Sequence, residues 1–501
     1  MAVKYFANTE LDKGIITNES PIKVPWSTGR NVRFRSGFVE KIPGRSYIQQ
    51  IPTALPIRAM FTFLGTDGVE RTIVCCDSIV YAYNADFSSY TTITPSPAPS
   101  GSLTDEWTFA LVAGLPILTN GKDAIWKWAS YAGALTALTG APTPTGSTRI
   151  SSCMHRLVVS GINEQIGVDG WSDPAYYDYT GRIRWSEAGN PENWTVDMTN
   201  KSGYFDLMQY MDGESAHQQI KAQLSDQNKM YFFTERGLWF SDFSQPTKGF
   251  FIAGKDSELI GARALCRKEG MIYWIGKQDF YSAAGGSAKP IGLPIRNHFL
   301  TNLNQAAASN SFAFHNRTNR EIWFCVPTGV NNTPDTAYIL NYELDLWTIA
   351  DVDFFCHSET DIPTLPYDIV GNQNGEILKL DDGNNGYYGG ASLPINGVIE
   401  TGDMHFGAPD FVKRVSDVIA EPALQDLVNE LMIQIGVRYR LSDDIRWSDP
   451  VPFTLGVSDF CDFNNFRKDG KYVRIRFFSD QLNTPWSLSG YSVKYELGGT
   501  R

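Results

Sequence analysis

The sequence predicts an all-β protein: a β-propeller of about six or seven blades, followed by a C-terminal β-sandwich-like platform domain containing one helix. Three observations predict it. Aromatic residues make up 13% of the 501 positions (23 Tyr, 29 Phe, 13 Trp), and such side chains fit a pleated, half-buried surface. The 44 Gly and 26 Pro supply the turns that many short strands need. Finally, a hairpin-like unit recurs along the chain. KMYFFTERGLWFS (229–241) lies on MIYWIGKQDFYSA (271–283) at an offset of 42 residues. That offset puts Phe232 on Trp274, Phe233 on Ile275, Leu238 on Phe280 and Trp239 on Tyr281. Each unit is an apolar run, a polar turn and a second apolar run, the pattern of a β-hairpin.

Taken in chain order, residues 1–54 read as an N-terminal arm with a short β segment that could join either domain. Residues 55–390 carry the repeat. Weaker copies are TIVCCDSIVYAY (72–83), LPILTNGKDAIWKW (115–128), HRLVVSGINEQIGV (155–168), EIWFCVP (321–327) with TAYILNYELDLWTI (336–349), and YDIVGNQNGEILKL (367–380). Several spacings are near the ~40 residues of a four-stranded blade. Two β-sandwiches in series would use the same hairpins. Within PIRNHFLTNLNQAAAS (294–309), Ile295, Phe299 and Leu303 recur at spacing four and predict a short surface helix. LDDGNNGYYGGASLPING (380–397) reads as a loop or linker. Residues 395–501 read as the platform, with the helix over EPALQDLVNELMIQ (421–434), where Leu424, Leu427, Val428, Leu431 and Met432 form one stripe. In KYVRIRFF, alternation of basic and apolar residues predicts one wet and one dry face.

Composition narrows the function. The length predicts two or three domains, and 42% hydrophobic with 20% charged residues describes a folded, soluble chain. The net charge of −12 and the lack of any Lys/Arg run disfavour a tight nucleic-acid-binding module. They leave room for a wall past which DNA slides. The first residues contain no apolar signal core, and no run approaches ~18 apolar residues, so cytoplasmic synthesis without a membrane span is expected. Seven scattered cysteines without a CxxC read as reduced and structural; Cys75 and Cys76 fall on opposite faces of one strand.

HExxH, GxSxG, P-loop and GxGxxG motifs are all missing, and the six histidines show no metal-ligand spacing. DDGNNG (381–386) fails the calcium-loop pattern, with Gly383 at the third position and Ser392 at the twelfth. No catalytic, metal or cofactor residues are expected. A glycosidase would need paired carboxyl groups. GRIRWSEAGNPENW (181–194) offers Glu187 and Glu192 beside Trp185 and Trp194; SDDIRWSDP (442–450) offers Asp443, Asp444 and Asp449 beside Trp447. Both read more simply as strand-and-turn segments. A glycan-binding or glycan-hydrolysing propeller is therefore the alternative reading.

The segments NVRFRSGFVEKIPGR (31–45), RIRWSEAGNPENW, GMIYWIGKQDFYSAAGG (270–286), YELDLWTI (342–349) and IETGDMHFG (399–407), in this order over about residues 28–410, carry a resemblance. Together the chain resembles the tail nozzle, or tail hub, proteins of short-tailed bacteriophages, a group including those called tail tubular protein B and packaged-DNA stabilisation proteins. The resemblance is weaker over the last hundred residues. It implies a non-enzymatic structural protein of the virion, assembled in the host bacterial cytoplasm as a homohexameric ring below the portal and adaptor. It also implies an adaptor protein and tail fibre, tailspike or needle proteins as partners, and double-stranded DNA passing non-specifically through the channel. For the ring contacts the sequence offers the loops 316–320 and 327–336, and above all the insertion at 161–181, whose Trp171, Tyr176, Tyr177 and Tyr179 are the candidate interface residues.

Overall fold

The repeated hairpins pair as their alternation requires. In the computed structural model, Phe232 lies opposite Trp239 and Phe233 opposite Leu238, while 42 residues later Trp274 lies opposite Tyr281 and Ile275 opposite Phe280. The structure describes residues 3–9, 11, 13–165, 176–196, 201–211, 214–217, 219–235, 237–255, 258–285, 287–360, 367–423, 430–466 and 468–500.

Among these residues, seven four-stranded antiparallel units follow one another as the blades of a β-propeller. Their first strands are Ala59–Leu64, Thr108–Val112, Thr143–Cys153, Ile220–Asp226, Leu265–Lys268, Phe312–Asn316 and Cys356–Thr360. Blades 1 to 6 are each contiguous in sequence, ending at Thr92, Ala137, Asp206, Lys255, Pro290 and Asp351. Blade 7 takes three strands from the end of the repeat, Cys356–Thr360, Ile369–Gly371 and Glu376–Leu380, and its outer strand, Arg45–Gln50, from near the N-terminus. The ring closes a second time at its centre, where Cys356–Thr360 runs parallel to Ala59–Leu64, with Ser358 opposite Met60. The Ser358 and Thr62 hydroxyls meet there at 2.6 Å.

The apolar core is distributed in layers between successive blades. One cluster joins blades 1 and 2 around Phe61, Cys75 and Trp126; another joins blades 7 and 1 around Met60, Cys76 and Ile377. Cys75 and Cys76 thus face opposite layers, as strand alternation demands. All seven cysteines are buried thiols. Between blades 5 and 6 runs helix α1, Arg296–Asn302, followed by a 3₁₀ turn, Gln305–Asn310. The helix expected at 294–309 is present, and it is pinned by fully buried Ile295 and Phe299.

The platform is a sandwich of two six-stranded sheets sharing one core of Trp26, Val32, Phe34, Ile399, Ile433 and Val493 among others. Four N-terminal strands belong to it: Val3–Asn8, Trp26–Arg30, Val32–Arg35 and Phe38–Lys41. They pair with Gly397–Thr401 and Ser487–Thr500.

Two expectations for this region are corrected. The helix expected over 421–434 is not present at either end of that range: Phe411–Pro422 and Glu430–Arg438 are strands, and residues 424–429, with Leu424, Leu427 and Val428 of the stripe, lie outside the described ones. From Leu431 onward, alternate residues Leu431, Ile433, Ile435 and Val437 are all buried, so period two prevails where a helical stripe had been counted. The basic side of KYVRIRFF is not wet. Arg474 Nε and Nη2 each donate to Asp403 at 3.0 Å, Arg438 joins the same carboxylate, and Arg476 Nε donates to Glu400 at 2.7 Å. The carboxylates substitute for water on that face.

Candidate functional site

The first strands of all seven blades line one cavity of about 440 Å³ on the propeller axis. Blade geometry explains the convergence. Each first strand is innermost, and alternation turns every second side chain towards the axis. Trp107, Phe109, Phe314 and Tyr367 form apolar walls, and Arg263, Arg267, Arg317, Glu106, Asp368, His315 and His357 supply charge and hydrogen-bonding groups. Glu106 is paired with Arg149 at 2.6 Å. Asp368 Oδ1 lies 2.7 Å from His357 Nε2, and the His357 ring stacks on Phe314 with centroids 4.4 Å apart. Arg263 Nη1 donates to the main-chain carbonyls of Arg58 and Phe355, and Arg267 Nη1 to that of Ser225 at 2.7 Å. His315 meets the Tyr342 hydroxyl at 3.1 Å; burial, reinforced by Arg317, pushes its pKa down to about 4. Scattered polar residues on seven separate strands give no sequence motif. The signal available was the first-strand phase of each repeat, which the sequence reading did not resolve.

The residues singled out from the sequence are placed as follows. Trp171 lies outside the described residues. Tyr176, Tyr177 and Tyr179 sit on the third strand of blade 3, Tyr176–Trp185, where it continues the long hairpin with Arg156–Gln165. Tyr179 is half-buried with the Arg182 guanidinium 3.6 Å from its ring centroid. Burial raises the Tyr179 pKa. The loop at 316–320 is the tight turn between the first two strands of blade 6, with Arg320 paired to Glu343. The 327–336 loop closes on itself through Thr328 and Asp335.

Arg182–Trp185 is strand, as expected, and SEAGNPEN is a turn bridged between Glu187 and Asn190. Glu192 accepts from Lys127 Nζ at 2.7 Å and from the Thr139 amide at 3.0 Å, hydrogen bonds that pull its pKa down. Glu187 accepts from Asn193 at 2.9 Å. Trp194 packs in the layer between blades 2 and 3, beside Ile125 and Leu138 as well as Leu157 and Val159. Asp443 accepts from the Arg440 amide in a turn. Among the described residues, no group of three or more His, Cys, Asp or Glu could hold a metal ion, and no helix is long and apolar enough to cross a membrane.

A second polar constellation lies at the seam between propeller and platform. Arg33, 1% exposed, reaches from the platform strand Val32–Arg35 into the propeller, donating to Glu321 at 2.5 and 3.1 Å and to Asp381 at 2.7 Å. Asn316 and Asn319 donate to the other Asp381 oxygen at 2.6 Å, and Trp323 Nε1 donates to Glu321 at 2.9 Å. Burial pushes the Glu321 carboxyl up, and the guanidinium beside it opposes that shift. Main-chain bonds continue the seam: the Asn31 amide donates to Ile349 O at 2.8 Å and Thr348 Oγ1 to Val32 O at 2.6 Å. DDGNNG, tested above as a calcium loop, is part of this seam, with Asp381 and Gly383 both at positive φ.

No family model matches the chain, and no curated protein matches it. Solved structures similar to it include the computationally designed Ika8 protein, at 9% identity and a TM-score of 0.40, covering 74% of this chain and 99% of that one. The Neurospora crassa Pan2 WD40 domain is 10% identical at a TM-score of 0.38, covering 69% and 96%. YCF48 bound to D1 peptide is 9% identical at 0.39, covering 68% and 97%. At such identities a likeness concerns fold alone, and the seven-bladed, all-β architecture rests on this chain's own strand pairing.

Proposed function

We propose that the protein is a non-enzymatic structural subunit of a bacteriophage tail nozzle or hub. In this reading, copies form a hexameric ring below the portal and adaptor, retain the packaged DNA and form the conduit for its ejection. One observation carries the reading. Segments that bear the resemblance, though hundreds of residues apart, meet at the propeller–platform seam: Asn31, Val32 and Arg33 from the first, Thr348 and Ile349 from another. IETGDMHFG adds Ile399 to the platform core and Asp403 to its buried ion network. A subunit whose two parts are joined by buried charge and main-chain bonds behaves as one rigid wedge. Rigid wedges suit a cyclic ring, where each interface joins two different patches and the rotation must close. Partners in this reading are the adaptor and the fibre, tailspike or needle proteins, and the setting is the virion.

The glycan-hydrolysing alternative offered Glu187 and Glu192, or Asp443, Asp444 and Asp449; of these, Glu187 holds its turn, Glu192 holds blade 2 and Asp443 caps a turn. Negative-stain imaging of the purified protein, alone and with the adaptor ring, tests the proposal. Rings with a central channel are the expected result. Persistent monomers in the adaptor's presence, together with polysaccharide cleavage abolished by Glu187→Gln or Glu192→Gln, would overturn it.

A further inference from the structure

We infer that the outer strand of blade 4, Phe250–Lys255, is a docking edge that pairs antiparallel with the N-terminal strand Val3–Asn8 of a second copy of this chain. The choice of a second copy as the occupant rests on the ring reading above.

A strand at the edge of a sheet presents unpaired N–H and C=O groups, and natural proteins blunt such edges with short strands, charge, proline or a covering element. Six blades follow that rule. Three outer strands are short: Tyr90–Thr92, Thr136–Ala137 and Lys289–Pro290, the last a lysine and a proline. Blade 3 ends on Asp206, paired with Arg182 at 2.7 Å. Blade 7 ends on RSYIQQ, in which four of the six residues are polar. Blade 6 is covered by the platform, where Trp347 O and Ile349 O accept from the Ile15 and Asn31 amides. Blade 4 alone leaves a long apolar edge open: six residues, FFIAGK, with Phe251 57% and Ile252 43% exposed. Among the described residues it pairs with Gly237–Asp242 on one side and with no strand on the other. Phe250 stacks on Phe205 with centroids 4.2 Å apart, and Phe251 lies 5.6 Å from Phe240. Successive residues of a strand face opposite ways, so aromatic rings flank this edge on both faces.

The platform supplies the matching edge. Val3–Asn8 is also six residues long, and among the described residues it pairs with Ser487–Thr500 alone. Val3 is 47% and Tyr5 71% exposed. The one antiparallel register that pairs all six residues of both strands sets Tyr5 against Ala253, Phe6 against Ile252 and Ala7 against Phe251. On the face that carries Tyr5, each ring then meets a small residue of the other strand, so the cross-strand pairs fit without overlap. Strand addition gains main-chain hydrogen bonds, and the alternate side chains give it specificity. Both edges stand open in one chain, so they meet only between copies. Two different patches that meet head to tail generate a ring when the rotation closes.

Cysteine trapping in the full chain tests this, because all seven native cysteines are buried. Opposed residues of an antiparallel pair have Cα atoms ~4.5–5.5 Å apart, within the ~4.4–6.8 Å that a disulfide spans. Tyr5→Cys and Ala253→Cys chains, mixed and oxidised with copper phenanthroline, are expected to give a reducible dimer that neither variant forms alone. Phe251→Lys and Tyr5→Glu are each expected to weaken self-association by about tenfold or more, read by sedimentation, at an unchanged melting temperature. Val457→Lys, exposed but on neither edge, is expected to leave it unchanged. No self-association of the parent protein, no mixed dimer, an equal yield of dimer from either variant alone, or full self-association in a folded Phe251→Lys or Tyr5→Glu protein would each overturn the inference. Closed rings without the mixed crosslink would remove the edge pairing and leave the nozzle reading standing. Mixed crosslinks in open chains that never close into rings would do the reverse.

Discussion

Replacing Arg33 by Met removes the guanidinium that Glu321 and Asp381 share while leaving both carboxylates in place. Arg33 and Glu321 are each 1% exposed, so water cannot take over the lost bonds. Breaking a buried pair by deleting one partner costs about 3–5 kcal/mol. This case belongs towards the upper end, because one guanidinium serves two carboxylates. The folded-to-unfolded ratio should fall by roughly 10²- to 10⁴-fold, read as a lowered urea midpoint with an unchanged slope. The sign of the pH dependence follows. Without the guanidinium, burial and the neighbouring Asp381 carboxylate both raise Glu321 against the single Trp323 hydrogen bond, so its folded pKa lies above the unfolded value near 4.3. The folded variant then binds protons more readily than the unfolded chain, and its stability falls as pH rises through that raised pKa. The gap between the parent protein and the variant should therefore widen from pH 5 to pH 8. Adding Glu321→Gln to Arg33→Met should recover much of the loss. A cost below about 1 kcal/mol, a gap that narrows with rising pH, or strictly additive losses in the double variant would refute the reasoning.

Asp403→Asn should cost about 3 kcal/mol or more, measured by urea unfolding of the platform, because Arg438 and Arg474 share that fully buried carboxylate. Gly44→Ala drives a Cβ to 2.0 Å from the Asn385 carbonyl oxygen, a main-chain contact that no side-chain rotation relieves. A loss of about 1–3 kcal/mol is expected, with hydrogen-exchange protection falling first in Glu376–Leu380, which pairs with the strand after Gly44. His315→Gln should flatten the stability profile between about pH 4 and 6.5. With a folded pKa near 4 against about 6.5 unfolded, the unfolded chain binds more protons in that window, so stability rises with pH there and the substitution removes that slope.

Local order was legible in the sequence and non-local order was not. The hairpins at 229–241 and 271–283 read correctly because alternation is a property of neighbouring residues, and their cross-strand partners fall where the 42-residue offset places them. The short helix at 296–302 read correctly for the same reason. Nothing local in RSYIQQ announces that it completes a blade with EILKL, or in WSTGR that it pairs with GVIET. The helical stripe read over 421–434 fails at its described C-terminal end, where the alternating apolar residues at 431–437 adjoin further leucines and two periods share one window. The axial cavity was illegible because its polar residues are spread one or two per strand over all seven blades. The seam was half legible: Arg33 belongs to a segment that marks the resemblance, but its partner Glu321 opens a stretch that reads as an ordinary hairpin strand, and Asp381 lies in one that reads as a loop.

The way blade 7 borrows its outer strand has a consequence during synthesis. Ser46 and Asp382, hydrogen-bonded in the closed ring, are separated by 336 residues. At ribosomal speeds of ~5–20 residues per second, the first of the pair waits roughly 15–70 s for the second to emerge. Throughout that interval Val32, Phe34 and Val39, all buried at the end, have no platform to enter, since its remaining strands are translated last. The N-terminus of the nascent chain is thus the segment most in need of a chaperone's hold. The platform sheet that takes in Val3–Asn8 and Phe38–Lys41 is complete only once Ser487–Thr500, which pairs with both, has left the ribosome.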